Sequence, residues 1–553
     1  MDTQSAANRL HPAAEMYAAE CKSGALSRRE FMARTTALGV SGAAVYGLLG
    51  LAQPDQAAAP AKQGGTLRVQ LQIKALKAPR VTDWSEIANV YRGQFDYLIE
   101  YNNDGTFRGM LLESWEANED ATAFTLKVRQ GVTWHDGSPL TAEHIAWNIE
   151  GWCDKTVEGN SMAGRMATMI DPETQKALPG AVEIVDDRTI RLNLPRPDIS
   201  IIPGMADYPA AIVHPSFAAS DVAANLGTGP YKITEMEVGV QARLERAEGH
   251  SWWGTEVYGG PYLDRIEYID FGTDPSAWLA ALESEEVDMV QESVGEFIDV
   301  MDSLGYEKSE VVTAATIVIR PNQQAEVDGI KPYADARVRR ALAMAVDNSI
   351  CLELGVGGRG IPAENHHIAP MHPEYAELPP QKHDPEGALA LMKEAGMADF
   401  EHEIISIDDD WRKNTTDSVA AQLRDAGMKV KRTVLPGSTF WNDWTKYPFS
   451  STNWNHRALG VQLLAVAYRS GEAWNESGFA NAEFDALLEE ALSVNEADQR
   501  RVVMAKIQKL MQDEGVMIQP YWRSLYRHWR AGLTGTDMHI TLDHQHYKWG
   551  FTA

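Results

Sequence analysis

The chain is poor in cysteine, poor in positive charge, and without any long apolar run. Three cysteines in 553 residues exclude a disulfide-stapled scaffold. Cys21 lies near the start, so one disulfide could join only Cys153 and Cys351; their distant positions favour two unpaired buried thiols. Lys and Arg number 50 against 78 Asp and Glu, a formal net charge of −28. Such a surface does not displace the counterions of a nucleic acid, so no nucleic-acid partner is expected. Beyond the N-terminal region no segment approaches ~18 consecutive apolar residues, so the mature chain should be soluble. No P-loop, G-x-S-x-G or H-E-x-x-H motif occurs.

Several partial motifs fail on context. Gly355-Val356-Gly357-Gly358-Arg359-Gly360 matches a dinucleotide fingerprint but runs into Ile361-Pro362, not into a helix, and reads as a loop. His366, His367 and His372 could converge on a transition metal or haem iron. Between Pro362 and Pro373 they read instead as polar residues of a surface loop. Asp408-Asp409-Asp410 lacks the further oxygen ligands calcium needs and reads as a solvated turn. Trp252-Trp253, Trp441 and Trp444 read as packing, and Arg337, Arg339 and Arg340 as a solvated helix face. No metal, no cofactor and no catalytic residue is expected.

What is present is an ordinary globular composition, 44% hydrophobic and 23% charged, in a chain long enough for two or three domains. Ser27-Arg28-Arg29-Glu30-Phe31-Met32 precedes a Gly- and Ala-rich apolar run, Ala37 to Ala52, and small residues from Gln56 to Ala61. This pattern resembles a twin-arginine signal peptide spanning 1–61, with cleavage expected after Ala61.

Beyond it, Leu67, Val69 and Leu71 alternate as in a half-buried strand. Strands are also expected at 124–129, 189–194, 241–246, 265–271, 403–407, 429–434 and 517–521. Thr141 is placed to cap a helix with Ile145, Ile149 and Trp152 inward. Asp335 should cap 336–346, buried through Val338, Ala341, Leu342 and Ala345. Helices over 386–395 and 416–426 should end at Gly396 and Gly427. Asn481 should cap another, and 498–513 should bury Val502, Ile507 and Leu510. A β-rich first half and an α/β second half imply two unequal lobes.

Four stretches in order carry a resemblance. They are Leu112-Glu113-Ser114-Trp115-Glu116; Phe124 to Gly137, ending Trp134-His135-Asp136-Gly137, with Pro139 to Glu143; Gly227-Thr228-Gly229-Pro230-Tyr231; and Asp335 to Asp347. Together they resemble the family 5 solute-binding proteins of peptide-, nickel- and opine-type ABC importers, from about Gly64 to the C-terminus. The resemblance implies an α/β, two-lobed periplasmic-binding-protein-like fold (class II, large cluster), with an extra inserted subdomain. Lobe I would comprise 62–100, 226–319 and 526–553, with the insertion at 101–225; lobe II would comprise 320–525. It implies a periplasmic monomer that closes on a small solute and delivers it to an ABC permease, and not an enzyme. The Trp-His-Asp-Gly turn then reads as a strand-to-helix corner, not a catalytic dyad.

The resemblance also implies a site. Ser451–Arg457 would line the cleft from lobe II, offering Asn453, Trp454, Asn455, His456 and Arg457. Arg457 falls where peptide-binding relatives commonly place an aspartate for the ligand's amine, so an acidic group on a peptide, opine or conjugate is expected there. The alternative is pairing with a protein carboxylate such as Glu472 or Glu476. Asp83 and Trp84 would face the ligand from lobe I, with Tyr521 and Trp522 near the hinge. Two other functions compete: a secreted hydrolase working in the cleft, and a sensor or metal- or haem-binding module on the same fold.

Overall fold

The computed structural model describes residues 11–51, 61–494 and 496–553. Among them, eleven strands join one long mixed sheet that runs through both lobes. Thr66–Gln70 begins the first half, with Leu67 and Val69 fully buried, as their alternation predicts. It pairs in parallel with Arg265–Ile269 and Met289–Val290. Arg265–Ile269 continues antiparallel into Gln241–Arg246 and then Tyr231–Glu237.

The second half is built on Phe449–Trp454, Glu401–Ile407 and Lys429–Leu435. Glu401–Ile407 and Lys429–Leu435 are parallel, so the chain must cross over between them. It does so through the helix Asp410–Asp425, which buries Trp411, Val419, Ala420 and Leu423.

Two strands join the halves. Glu307–Pro321 is rich in the β-branched residues that suit a pleated surface: Val311, Val312, Thr313, Thr316, Ile317, Val318 and Ile319. It pairs with Phe449–Trp454 at one end and with Tyr521–Trp529 along most of its length. Tyr521–Trp529 in turn reaches Met289 of the first half. The register of this joining pair shifts between Val312 and Ala315.

The inserted region carries its own antiparallel sheet, Leu112–Ala117, Ala123–Val128, Thr189–Asn193 and Val182–Asp186. The helix Ala142–Trp152 packs on it through Ile145, Ile149 and Trp152. Its preceding corner is held by His135, whose Nδ1 accepts from the Gly227 amide while Nε2 donates to the Gly229 carbonyl. Asp136 accepts from the Ser138 amide and hydroxyl, closing the turn.

Some sequence expectations are corrected by packing. Thr141 occupies the cap position but makes no side-chain capping bond. The 416–426 helix begins six residues earlier, at Asp410, capped by Asp409. The late strand starts at Tyr521, because Met517 and Ile518 form only an approach to it. Val502 is exposed; Val503, Met504 and Ile507 face the core instead. Arg339 is buried against Glu514, not solvated. His366, His367 and His372 are buried rather than displayed on a surface loop. Cys153 and Cys351 are free buried thiols.

The 11–51 stretch, read from sequence as export signal, is folded as three helices: Pro12–Ser23, Arg28–Ala37 and Gly42–Leu48. Ser27 and Glu30 form a reciprocal capping box at the second. Most of the small-residue stretch before Ala61 lies outside the described residues; Ala61–Lys62 pairs with Gly550–Thr552.

Candidate ligand-binding cleft

Where the two halves of the sheet face each other, a partly open cleft holds about 630 Å³ of empty space. From the first lobe it is lined by Gln70, Gln72, Ser85, Glu86, Gln291 and Glu292. Gln70 and Gln72 come from the end of the first strand, and Ser85 and Glu86 open the helix Ser85–Tyr91. From the second lobe come Asp409, Asp410, Trp411 and Arg412 at a helix start, and Asn453 and Asn455 at a strand end. A larger open groove, about 1660 Å³, lies wholly on the second lobe between Asp347, Glu364, Tyr375 and Gln512, so it is not two-sided.

Most charges lining the cleft are met within the protein. Burial works against the Glu86 carboxylate, but the Lys74 ammonium 3.1 Å away outweighs it and holds its pKa below the ordinary value. Arg412 is bonded to Asp409 and also donates 2.9 Å to Asn453 Oδ1. Arg523 is bonded to Glu292. Trp411 lies between these two guanidiniums, 4.6 and 4.0 Å from its ring centre. Asp410 has no ion-pair partner among the described residues; burial and the neighbouring Asp409 carboxylate raise its pKa. The Gln70 side chain is 3% exposed and has no hydrogen-bond partner among the described residues. Asn455 Oδ1 is likewise buried without a partner.

Of the nine residues expected from sequence, Asn453 and Asn455 line this cleft. Trp454 is buried and donates 2.8 Å to Glu476, which also holds Thr452 and Arg320. Burial nevertheless raises the Glu476 carboxyl to about 7. His456 accepts from the Ala314 amide and is held neutral by burial, its pKa far below the ordinary value. Tyr521 bonds Thr415 at 2.6 Å, and Trp522 stacks on His367. Both are fully buried.

Arg457 is engaged by Asp207 of the inserted region at 2.9 Å, and not by Glu472 or Glu476. Glu472 pairs with Lys155 and Glu476 with Arg320. Asp207 is shared: Arg165 also donates to it, at 2.8 Å through Nε. Burial alone would raise the Asp207 pKa, but the two guanidiniums together hold it below the ordinary carboxylate range. The site thus no longer asks for an acidic ligand group at Arg457.

Asp83 and Trp84 belong to the seam between lobes. Asp83 pairs with Lys77 at 2.9 Å and accepts from Trp444 Nε1 at 3.1 Å. Trp84 packs against Trp441 and Trp444, with ring centres 4.1 and 5.1 Å apart. The Lys74 ammonium lies over both Trp84 and Trp441. Ser85 Oγ accepts from Asn455 Nδ2 at 3.2 Å. Trp441 and Trp444 therefore pack, as their sequence context suggests, but across the cleft.

The residues that sequence reasoning missed are the amides Gln70, Gln72 and Gln291 and the acidic helix start at Asp409 and Asp410. The only available signal for the latter was an aspartate able to cap a helix. No group of three or more His, Cys, Asp or Glu among the described residues is placed to hold a metal ion. No described helix is long and apolar enough to cross a membrane.

Comparison with known proteins agrees with this architecture. The family model described as bacterial extracellular solute-binding proteins, family 5 Middle, matches residues 106–474. A probable peptide ABC transporter periplasmic-binding protein, y4tO, of Sinorhizobium fredii is 24% identical over 458 residues, covering 76% of this chain and 81% of its own. Among solved structures, AgaA in complex with agropinic acid, from A. tumefaciens R10, superposes with a TM-score of 0.77 at 21% identity. It covers 88% of this chain and 99% of its own. The Escherichia coli murein tripeptide binding protein MppA superposes with a TM-score of 0.78 at 18% identity, covering 90% and 99%. With a two-lobed fold, a cleft lined from both sides and a family match over most of its length, the chain belongs to family 5 of the bacterial extracellular solute-binding proteins.

Proposed function

We propose that this protein is the periplasmic substrate-binding component of an ABC importer, capturing a small polar solute by lobe closure and presenting it to a membrane permease. The observation that carries this reading is the two-sided cleft, with polar side chains converging from both lobes. A solute touching both sides binds the shut arrangement better than the open one and shifts the population toward it. The permease then reads the shut shape.

The chemistry facing the cleft narrows the ligand within the peptide-, opine- or conjugate-like class. Both cleft arginines are held by carboxylates, whereas Asp410 makes no ion pair among the described residues and is met by the Asn414 amide at 3.0 Å, with the Lys413 charge close by. Gln70 offers an amide group, and Asn455 a carbonyl oxygen, without a partner. A solute with an ammonium or guanidinium group and several hydroxyl or amide edges fits these vacancies; a purely anionic one does not. Mass spectrometry of whatever co-purifies with the native protein identifies the ligand class. Calorimetry with that compound then compares wild type with Asp410→Asn. Unchanged affinity would overturn the role of Asp410, and absence of any saturable small-molecule binding would overturn the transport reading.

A further inference from the structure

The cleft has a neighbour. A second cavity, of about 280 Å³, is walled by Asp207 and Tyr208 of the inserted region, Arg457 and Gln462 of the second lobe, and Thr541 and Asp543 near the C-terminus. Both spaces are lined entirely by residues beyond 61, so cleavage after Ala61 would leave every lining residue in place. They share a dividing wall. Asn455 lines the cleft, and Arg457, two residues on, lines the side chamber. Leu542 lines the cleft, and its chain neighbours Thr541 and Asp543 line the side chamber.

Leu542 is held there against its own backbone preference. Its φ is +65°, in the left-handed region that a bulky side chain rarely adopts. Glycine is the ordinary residue at such an angle, because it has no Cβ to crowd the backbone. The segment is pinned by Asn89, fully buried on the helix Ser85–Tyr91. Asn89 Nδ2 donates 2.9 Å to the Leu542 carbonyl, and its Oδ1 accepts from the His544 amide at 3.0 Å. Arg92, just past that helix, pairs with Asp543 at 2.8 Å. The Leu542 side chain is 4% exposed and packs with Ala315, Leu525 and Met538. A costly backbone angle persists only where the surroundings impose it, and such residues gather at binding sites. Glycine would suit the angle here but would leave the wall without a side chain.

The side chamber has an unmet need. Gln462 is 4% exposed, and its Oε1 has no hydrogen-bond partner among the described residues. It calls for an N–H or O–H group. The two carboxylates beside it are already met, Asp207 by Arg457 and Asp543 by Arg92.

We infer that Leu542 sets the upper length of the solute, closing the cleft toward the chamber beside Gln462. Removing its side chain joins the two spaces and admits a ligand longer by about one extended residue, roughly 3.5 Å, whose N–H meets Gln462. The inference rests on the reading of the cleft as the solute site.

The test is calorimetry on purified protein stripped of bound solute, with C-amidated oligoglycines from diglycine to hexaglycine as probes. These carry one ammonium and a row of amides, the groups that the cleft suits. Leu542→Gly and Leu542→Ala are compared with wild type. Both should bind at least one member beyond the longest that wild type holds, with a gain of at least about tenfold for that member. Adding Gln462→Leu to Leu542→Gly should abolish the gain. Leu542→Gly should also melt above Leu542→Ala, because glycine alone relaxes at this angle. The same upper length in all chains overturns the partition. A gain that survives Gln462→Leu overturns the side chamber as the place entered, and Leu542→Ala melting at or above Leu542→Gly overturns the imposed backbone. If wild type and variants bind none of the probes, the reading of the cleft as a site for an amide-rich cationic solute fails, and the length limit with it.

Discussion

The shared carboxylate of Asp207 gives the most exacting quantitative test. Asp207, Arg165 and Arg457 are 8%, 2% and 4% exposed, so none is stabilised by bulk water. Asp207→Ala strips both guanidiniums of their common partner. Removing one side of a buried ion pair costs about 3–5 kcal/mol, mostly because the charge left behind is uncompensated. Arg457→Ala leaves Asp207 paired with Arg165 and removes one charge-assisted hydrogen bond, about 1.5–3 kcal/mol. At about 2–4 °C per kcal/mol for a unit of 150–250 residues, Asp207→Ala should lower the first calorimetric transition by about 6–20 °C. On the same scale Arg457→Ala should lower it by about 3–12 °C.

The double variant should cost less than the sum of the two, because removing Arg457 relieves part of the charge that Asp207→Ala strands. The pH dependence has a definite sign. The Asp207 pKa is depressed in the folded chain, so its contribution is complete above the unfolded value and disappears as pH falls through the folded one. Asp207→Ala no worse than Arg457→Ala, or strict additivity, would refute the three-way ion pair.

Other outcomes are checked more simply. Burial lowers the His372 pKa to about 4, so its neutral form stabilises the fold near neutrality and this contribution is lost as pH drops from about 6.5 toward 4. His372→Gln should flatten that part of the melting-temperature profile, and an unchanged slope would contradict it. Burial pushes the Cys153 and Cys351 thiols up to about 12 and about 11, so both should resist iodoacetamide in the native protein and react after denaturation, as read by mass spectrometry. Trp444→Phe keeps one aromatic ring but loses the bond to Asp83 and part of a buried indole, and should weaken affinity for the co-purified solute several-fold by calorimetry, with a modest fall in melting temperature.

Much of the fold was legible because its signals are local and periodic. Leu67 and Val69 alternate on a strand, and Val338, Ala341, Leu342 and Ala345 line one buried helical stripe. Asp335 and Asn481 cap helices as their chemistry allows. The failures share another cause. The first turns of the Asp410–Asp425 helix carry Trp411, Arg412, Lys413 and Asn414, with no apolar stripe to announce them. The buried histidines look like loop residues because only tertiary packing covers them.

The cleft was harder still. Its residues are single amides and acids scattered from Gln70 to Arg523, and nothing in their neighbourhoods distinguishes them from ordinary surface. Family placement brought the eye to Ser451–Arg457, yet alternate residues of a strand point to opposite sides. Asn453 and Asn455 face the cleft while Trp454 points to Glu476.

The single sheet shared by both lobes has a mechanical consequence. Two bodies tethered by a loose linker can separate in any direction. These two are stitched edge to edge by backbone hydrogen bonds of Glu307–Pro321 and Tyr521–Trp529, so rotation must be absorbed as twist, and the compliant spot is the register slip between Val312 and Ala315. If the lobes close as proposed, they bend as a sprung leaf does, about an axis set by this strand pairing.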